Sequence, residues 1–164
     1  MKEFNEKIIA WAVDRELDKK GTVEGQVVKT VEEMAELIIG ISKDNIEVIK
    51  DSIGDVYVTL VIGNMLDYKE DIEDIYTEVK QRIDESKYVE DRKVVMLGLL
   101  TTAMEQTLSY FYQDHVIKQV LENLLEVAKF YELDFEECVE AAYKEIANRK
   151  GKTVNGTFVK EEDL

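Results

Sequence analysis

Apolar residues recur along most of the chain at the three- and four-residue spacing that is typical of amphipathic helices. The pattern predicts a first helix over residues 2–18, a second that ends near residue 43, and a third that begins at a capping box formed by Asp44 and Glu47. Because so short a link joins the second and third helices, we expect them to form an antiparallel hairpin.

The third predicted helix differs from the others because its second half is apolar on nearly all sides. Val58, Val61 and Ile62 extend the apolar stripe of Ile49, Ile53, Val56 and Leu60 to the sides of this helix, and a helix without a polar face is typical of the centre of a fold. Gly54 lies in its middle and should allow another part of the backbone to approach closely.

The rest of the chain follows the same helical pattern. A fourth helix is predicted from a capping box at Asp67 and Glu70 to beyond Arg82. Further helices are predicted over residues 89–110, 114–132 and 134–149. Asn155-Gly156 favours a tight turn, and the absence of proline agrees with long helices. We therefore expect an all-α helical bundle that is followed by a short C-terminal hairpin or turn.

An internal repeat is indicated at an offset of 67 residues, where residues 66–70 (LDYKE) resemble residues 133–137 (LDFEE). The similarity predicts a tandem duplication, although two helices that share a start signal would give the same local match. On this basis we expect a single domain with three parts. These are a half that carries the acidic site (1–83), a degenerate helical half (84–150) and a basic tail (151–164).

The composition narrows the class of function. Asp and Glu number 36 against 21 Lys and Arg, which gives a net charge of -15, and a negative field of this size disfavours nucleic-acid binding. One histidine and one cysteine exclude a multi-histidine metal site, a cysteine-ligated zinc site and an intrachain disulfide. No apolar run reaches the ~20 residues of a membrane helix, so we expect a cytoplasmic protein that does not bind membranes.

Four acidic side chains should converge between the second and third helices. Glu33 and Glu36 are three residues apart and share a helix face, and Asp51 and Asp55 share a face at a spacing of four. With the turn near Asp44, Glu36 and Asp51 both lie roughly 10 Å from it, and Glu33 and Asp55 are level with each other about one helical turn farther away.

Asp55 is the most informative of these acids because its surroundings are apolar. An unpaired charge is costly to bury, and no Lys or Arg stands at the facing positions of the second helix. A hard divalent cation, magnesium or manganese in its place, would compensate all four carboxylates with the oxygen ligands it prefers. A solvated acidic face, with Glu47 as a simple capping residue, would explain the same residues without a metal.

The chain resembles the MazG-like all-α nucleoside triphosphate pyrophosphohydrolases in two acidic motifs, EEMAEL at residues 32–37 and IGDV at residues 53–56. The tail resembles the end of small phage and prophage members of this family. The resemblance covers about residues 5–66 and 133–160. The family usually has Glu three residues before the aspartate, where this chain has Ser52, so Asp51 would serve as the fourth ligand instead.

The resemblance implies a magnesium-dependent enzyme that converts an NTP or dNTP to the monophosphate and pyrophosphate. Glu33, Glu36 and Asp55 would be the catalytic residues, and with Asp51 they would bind the metal. The family builds its fold from four-helix units that pair, often as dimers, so a homodimer is a further expectation. The alternative is a catalytically inactive nucleotide-binding or scaffold protein of the same fold, with Ser52 marking the lost activity.

The degenerate half has lost most of these acids. At the offset of 67 residues, three of the four acids correspond to residues that cannot bind a cation, and Asp55 corresponds to Glu122. The three replacements are Leu100, Ala103 and Lys118. We therefore expect one active site per chain, in the first half.

The tail has a local excess of positive charge in an otherwise acidic chain. Arg149, Lys150 and Lys152 lie close together, and Lys160 follows without an intervening acid. These side chains are candidates to bind the phosphates of the substrate. A basic helix end that complements the helix dipole would explain Arg149 and Lys150 equally well.

Trp11 and Arg15 are candidates to hold the nucleobase by stacking and pairing, since the first helix of the family often helps to bind the nucleotide. A lone Trp on an amphipathic helix is also typical of a hydrophobic core.

Overall fold

The computed structural model describes residues 1–86 and 92–164, which form eight helices and a two-stranded antiparallel sheet. The all-α bundle with a C-terminal hairpin is therefore confirmed. The helices are α1 Lys2–Asp14, α2 Leu17–Lys20, α3 Val23–Ser42, α4 Ile46–Leu66, α5 Ile72–Glu85, α6 Lys93–Tyr110, α7 Asp114–Phe130 and α8 Phe135–Ala147. The strands are β1 Gly151–Val154 and β2 Thr157–Lys160.

The hairpin of α3 and α4 forms as expected, but the start of α4 is shifted by one residue. Asn45 caps α4 by accepting a hydrogen bond from the Val48 amide at 3.4 Å. Asp44 instead forms the turn, with a φ of 51° in the left-handed region. The predicted capping box at Asp44 and Glu47 is therefore wrong, because a residue in the turn cannot also cap the helix.

Two other predicted boundaries also change. The first helix ends at Asp14 because Glu16 adopts a left-handed φ of 59°, and α2 follows as a separate short helix. The fourth predicted helix, α5, begins after Asp71, which accepts a hydrogen bond from the Glu73 amide at 2.9 Å. Asp67 instead ends α4, so the predicted capping box there is wrong.

These boundaries bear on the proposed repeat. Asp67 follows the last residue of a helix, whereas Asp134, at the matching position, caps the start of α8. The local match at residues 66–70 therefore joins positions with different structural roles. The predicted division between residues 83 and 84 falls inside the last turn of α5, and the predicted helix start at residue 89 lies outside the described residues.

Helix α4 is the centre of the fold, as its sequence predicts. Thirteen of its 21 residues are buried, and it packs against α1, α3, α7 and α8. The closest approach to α8 is at Gly54, where an added Cβ would lie 2.4 Å from the carbonyl oxygen of Cys138. The close backbone approach expected at Gly54 is therefore confirmed, and it brings α8 next to Asp55.

The C-terminal hairpin packs against the first part of the chain. Asn155 and Gly156 both have positive φ, 51° and 86°, as the Asn-Gly turn requires. The Thr22 amide donates to the carbonyl of Gly156 at 3.0 Å, and Thr153 Oγ1 donates to the carbonyl of Arg15 at 2.7 Å. These contacts hold the tail beside the start of α3.

The far end of α4 is covered by the connection between α6 and α7. Tyr112 is fully buried there, and its hydroxyl is 2.6 Å from that of Thr30. Its ring lies so close to Gly63 that an added Cβ would be 2.0 Å from a ring carbon. Among the described helices, none combines the length and the apolar character that a membrane crossing requires.

We expect Gly63→Ala to lower the free energy of unfolding by roughly 1–3 kcal/mol, because the new methyl group would overpack the Tyr112 ring. Gly98→Ala is the matched control, since Gly98 is also helical but an added Cβ there has no described atom within 4 Å. This change should stabilise by roughly 0.5–1 kcal/mol. Urea unfolding of both variants in dilute solution measures the difference, and equal effects would contradict the packing.

Candidate functional site

The candidate site lies between α3 and α4, where the four predicted acids come close enough to influence one another. Glu33 and Glu36 lie on α3, and Asp51 and Asp55 on α4. The side chain of Glu33 is only 13 % exposed, and Asp55 is half-buried. Glu36 and Asp51 are exposed at the rim. The antiparallel hairpin thus places two acids inside the site and two at its edge.

Lys29 is a member of the site that sequence reasoning missed. Its Nζ lies 3.0 Å from Glu33 Oε1 and 2.9 Å from Glu32 Oε2. Burial opposes the charge, but these two contacts raise the pKa of Lys29. Lys29 does not stand at a facing position, because it reaches Glu33 from one turn earlier on the same helix. Glu33 therefore already has a positive partner.

Asp55 has the most perturbed carboxyl group of the site. Burial, followed by the negative charges of Glu33, Asp51 and Glu145, raises the pKa of Asp55 to about 7. Arg149 acts in the opposite direction but does not offset these effects. A carboxyl with a pKa near neutrality is typical of functional sites, because it can hold or release a proton there.

The acids at the rim are perturbed in the same direction. Burial and the charges of Glu33 and Glu32 raise the pKa of Glu36, while Lys29 partly offsets them. Burial, and then the charge of Glu145, raises the pKa of Asp51. Burial and neighbouring negative charges therefore disfavour the ionised form of three of the four predicted ligands, Glu36, Asp51 and Asp55.

The donor chemistry of the site fits a hard divalent cation, which would relieve this mutual repulsion with carboxylate oxygens. The side chains are not gathered around one point, however. Among residues 1–86 and 92–164, no group of three or more His, Cys, Asp or Glu side chains is close enough to hold a metal ion. With Glu33 paired to Lys29, a cation would have to draw Glu33 away from its present partner.

A small cavity of about 80 Å³ adjoins Glu33 and Asp55. Trp11 and Phe158 line its apolar side. The Trp11 indole donates from Nε1 to the carbonyl of Ile146 at 2.7 Å, and the Arg15 guanidinium covers its ring at 4.4 Å. Trp11 therefore lines the cavity, while Arg15 covers its ring and donates to the carbonyls of Trp11 and Arg149.

The three predicted phosphate-binding residues differ in where they lie relative to the acidic site. Arg149 lines the cavity next to Asp55 and is ion-paired with Glu145. Lys150 lies at an adjacent open groove that Arg149, Glu145 and Lys160 also line. Lys152 is exposed on β1, and no described contact joins it to the acids. The structure thus brings Arg149 into the site, leaves Lys150 near it and leaves Lys152 apart.

In the second half, the residues that correspond to the four acids at the offset of 67 residues do not form an acidic cluster. Leu100 and Ala103 are fully buried in the core. Lys118 Nζ lies 2.8 Å from Glu78, and Glu122 is bound by Arg82 at 2.9 Å. These residues pack the core or form surface ion pairs.

Glu145 and Lys29 are the members that the sequence analysis left out. Lys29 carried a readable signal, since it is four residues before Glu33. Glu145 carried none, because its proximity to Asp55 depends on how α8 crosses α4 at Gly54.

Comparison with known proteins gives one limited similarity. The chain is 42% identical over 62 residues to an uncharacterized 18.2 kDa protein in the rep-hol intergenic region of Haemophilus phage HP1 (strain HP1c1). The match covers 38% of this chain and 38% of the phage protein. No known protein-family profile matches the chain, and no solved structure matches it.

The raised pKa of Asp55 predicts a pH-dependent stability. An unfolded Asp ionises near pH 4, whereas folded Asp55 ionises at about 7. Between these values only the folded state holds the proton, so stability falls as the pH rises. We expect the wild type to lose roughly 2–4 kcal/mol more than Asp55→Asn between pH 4.5 and 7.5 (about the span of the two pKa values).

Denaturant unfolding of both proteins, in the presence of a chelator, measures this difference. The titrating groups that do not interact with Asp55 are common to both proteins and cancel in the comparison. Parallel stability curves would show that Asp55 is ionised at ordinary acidic pH and is not held in a desolvated site.

Proposed function

We propose that the chain is a magnesium-dependent nucleotide pyrophosphohydrolase, which converts an NTP or dNTP to the monophosphate and pyrophosphate. The observation that carries the proposal is the half-buried Asp55, whose pKa is raised to about 7 by burial and by neighbouring acids. So unfavourable a cluster is retained most simply if a cation binds it. The two acidic motifs that resemble the MazG-like family supply Glu33, Glu36 and Asp55 of this cluster.

Glu33, Glu36, Asp51 and Asp55 would hold the magnesium ion. Bound there, magnesium would neutralise phosphate charge and favour attack of water on phosphorus. Manganese, which takes similar oxygen ligands, would substitute for it. In the metal-free protein Lys29 stabilises Glu33, so Lys29 would keep the buried acid in place until the cation arrives.

Glu36, which is exposed at the rim, would bind magnesium with one carboxylate oxygen and orient the attacking water with the other. Glu32 is less suited to this role because Lys29 binds its carboxylate. Attack on the α-phosphorus would break its bond to the bridging oxygen, which leaves with pyrophosphate.

Arg149 would bind the leaving phosphates, with Lys150 as a second cation at the adjoining groove. Arg149 would then exchange Glu145 for the substrate. The cavity of about 80 Å³ is smaller than a typical ligand site of ~300 Å³ or more. Nucleotide binding would therefore widen it.

An inactive nucleotide-binding protein is the second candidate, and two observations favour it. Ser52 is buried at 2 % exposure and cannot replace the glutamate that the family has at this position. Lys29 already compensates Glu33. Such a protein would bind nucleotide through Arg149 and Lys150 without hydrolysing it.

We expect the purified protein to release pyrophosphate and a monophosphate from at least one member of an NTP and dNTP panel, only with magnesium or manganese. Glu36→Gln should lower kcat by at least about a hundredfold, because the loss falls on the chemical step. Glu122→Gln is the matched control and should stay within a few-fold of the wild type, since Glu122 binds Arg82 on another surface.

Nucleotide-dependent stabilisation without any pyrophosphate release would favour the inactive protein. Release of orthophosphate alone would contradict the proposed reaction. An equal loss in Glu122→Gln and Glu36→Gln would place Glu122 in the working site and overturn the assignment to the first half.

A further inference from the structure

The cavity beside Asp55 has an uncharged end, which the proposed chemistry does not use. Two neutral polar residues line the cavity, Gln26 of α3 and Thr59 of α4. Because α3 and α4 are antiparallel, Gln26 and Thr59 lie level with each other, farther from the turn than Glu33 and Asp55. On α4 the step from Asp55 to Thr59 is about one helical turn, roughly 6 Å along the helix axis. We call the part of the cavity at Gln26 and Thr59 the neutral end.

Gln26 has an amide oxygen that lacks a hydrogen-bond donor. The residue is only 6% exposed, and its Nε2 donates to the carbonyl oxygen of Thr59 at 3.1 Å. Because a carbonyl can only accept, this contact fixes the amide with its nitrogen towards α4 and leaves its oxygen over. Among residues 1–86 and 92–164, none donates a hydrogen bond to Gln26 Oε1. A largely buried acceptor without a donor costs free energy, and a ligand that donates to this oxygen would remove that cost.

The other polar side chains near the neutral end have their single donors occupied. Thr59 Oγ1 donates to the carbonyl of Val56 at 2.8 Å, and Trp11 Nε1 donates to the carbonyl of Ile146 at 2.7 Å. The rest of the cavity wall includes the apolar residues Leu17, Ile62 and Phe158. Thr59 Oγ1 can still accept a hydrogen bond, as Gln26 Oε1 can. The neutral end therefore offers a ligand two acceptor oxygens beside an apolar wall.

An exocyclic amino group is the nucleobase group that fits this end. At equivalent ring positions, cytosine and adenine carry an amino donor, whereas uracil and hypoxanthine carry a carbonyl acceptor. An amino group that faces Gln26 Oε1 would pair with it. A carbonyl in the same place would put two acceptors against each other and leave both without a donor. With the phosphates at the acids, the base would extend along the hairpin towards Gln26.

We propose that Gln26 selects nucleotides whose base carries this amino group, cytosine or adenine, over the corresponding bases with a carbonyl, uracil or hypoxanthine. This inference rests on the proposed function, because it takes the phosphates to lie at Glu33 and Asp55. Gln26 is a specificity-determining residue in this account. It contacts the base and does not act on the bond that breaks, so its effect falls on which nucleotide is bound.

Titration calorimetry with non-hydrolysable analogues of CTP, UTP, ATP and ITP, in the presence of magnesium, measures this preference without requiring hydrolysis. We expect the wild type to bind the amino member of each pair that binds, CTP over UTP and ATP over ITP, at least about tenfold more tightly. Gln26→Met keeps a side chain of similar length without the acceptor, and it should reduce each ratio to within about threefold. Gln81→Met is the matched control, since Gln81 is exposed on α5 and binds Glu85 at 2.8 Å, and it should keep the wild-type ratio.

Equal affinities within both pairs, tighter binding of UTP or ITP, or a ratio that Gln26→Met leaves unchanged would each overturn the proposal. The comparison in the wild type needs no variant, so it decides the matter even if Gln26→Met does not fold.

Pyrophosphate release from the ordinary nucleotides separates this inference from the proposed function. Equal kcat/KM for CTP and UTP, and for ATP and ITP, would support the reaction and overturn the selection by Gln26. Tighter binding of the amino analogues without any pyrophosphate release would support the selection and overturn the reaction. If none of the triphosphates binds, both are overturned.

Discussion

The burial of α4 over residues 52–64, where every residue except Asp55 is buried, is the constraint on which the rest of the structure depends. A helix with thirteen buried residues out of 21 must be covered by several others, and α1, α3, α7 and α8 all pack against it. Asp55 lies on this helix, so the elements that pack around α4 supply the side chains that surround Asp55. Glu33 comes from α3, Glu145 from α8, and Arg149 follows α8 directly. The fold that buries the apolar helix therefore also assembles the charged site.

The site carries a conflict between stability and the proposed function. Burial, followed by the charges of the neighbouring acids, disfavours the ionised carboxylate and raises the pKa of Asp55 to about 7, which reduces stability at neutral pH. Lys29 limits this cost by pairing with Glu33, and Arg149 opposes the shift from the other side. A cation or a bound phosphate would have to compete with these internal partners. Because of this competition, binding of a cation or of a phosphate would change the ion pairs that Lys29 and Arg149 form within the protein.

Helical periodicity predicts what depends on local sequence, and it fails where tertiary packing decides. Spacing along one or two helices predicts the hairpin, the position of the four acids between its two helices and the close approach at Gly54. Asn45 and Asp71, in contrast, cap helices one to four residues from the predicted boxes, because neighbouring Asx residues compete for the same role. The proximity of Glu145 to Asp55 depends on a helix crossing, for which a single sequence carries no signal.

The proposed function requires that the acids around Asp55 bind a divalent cation. Anomalous scattering from crystals grown with manganese and a non-hydrolysable triphosphate would locate such a cation. We expect a peak within about 2.2 Å of carboxylate oxygens of Glu36 and Asp55, with Glu33 turned from Lys29 towards the metal. A map that shows bound nucleotide, and Glu33 still paired with Lys29, but no peak near Glu36 and Asp55 would contradict the proposed cation site.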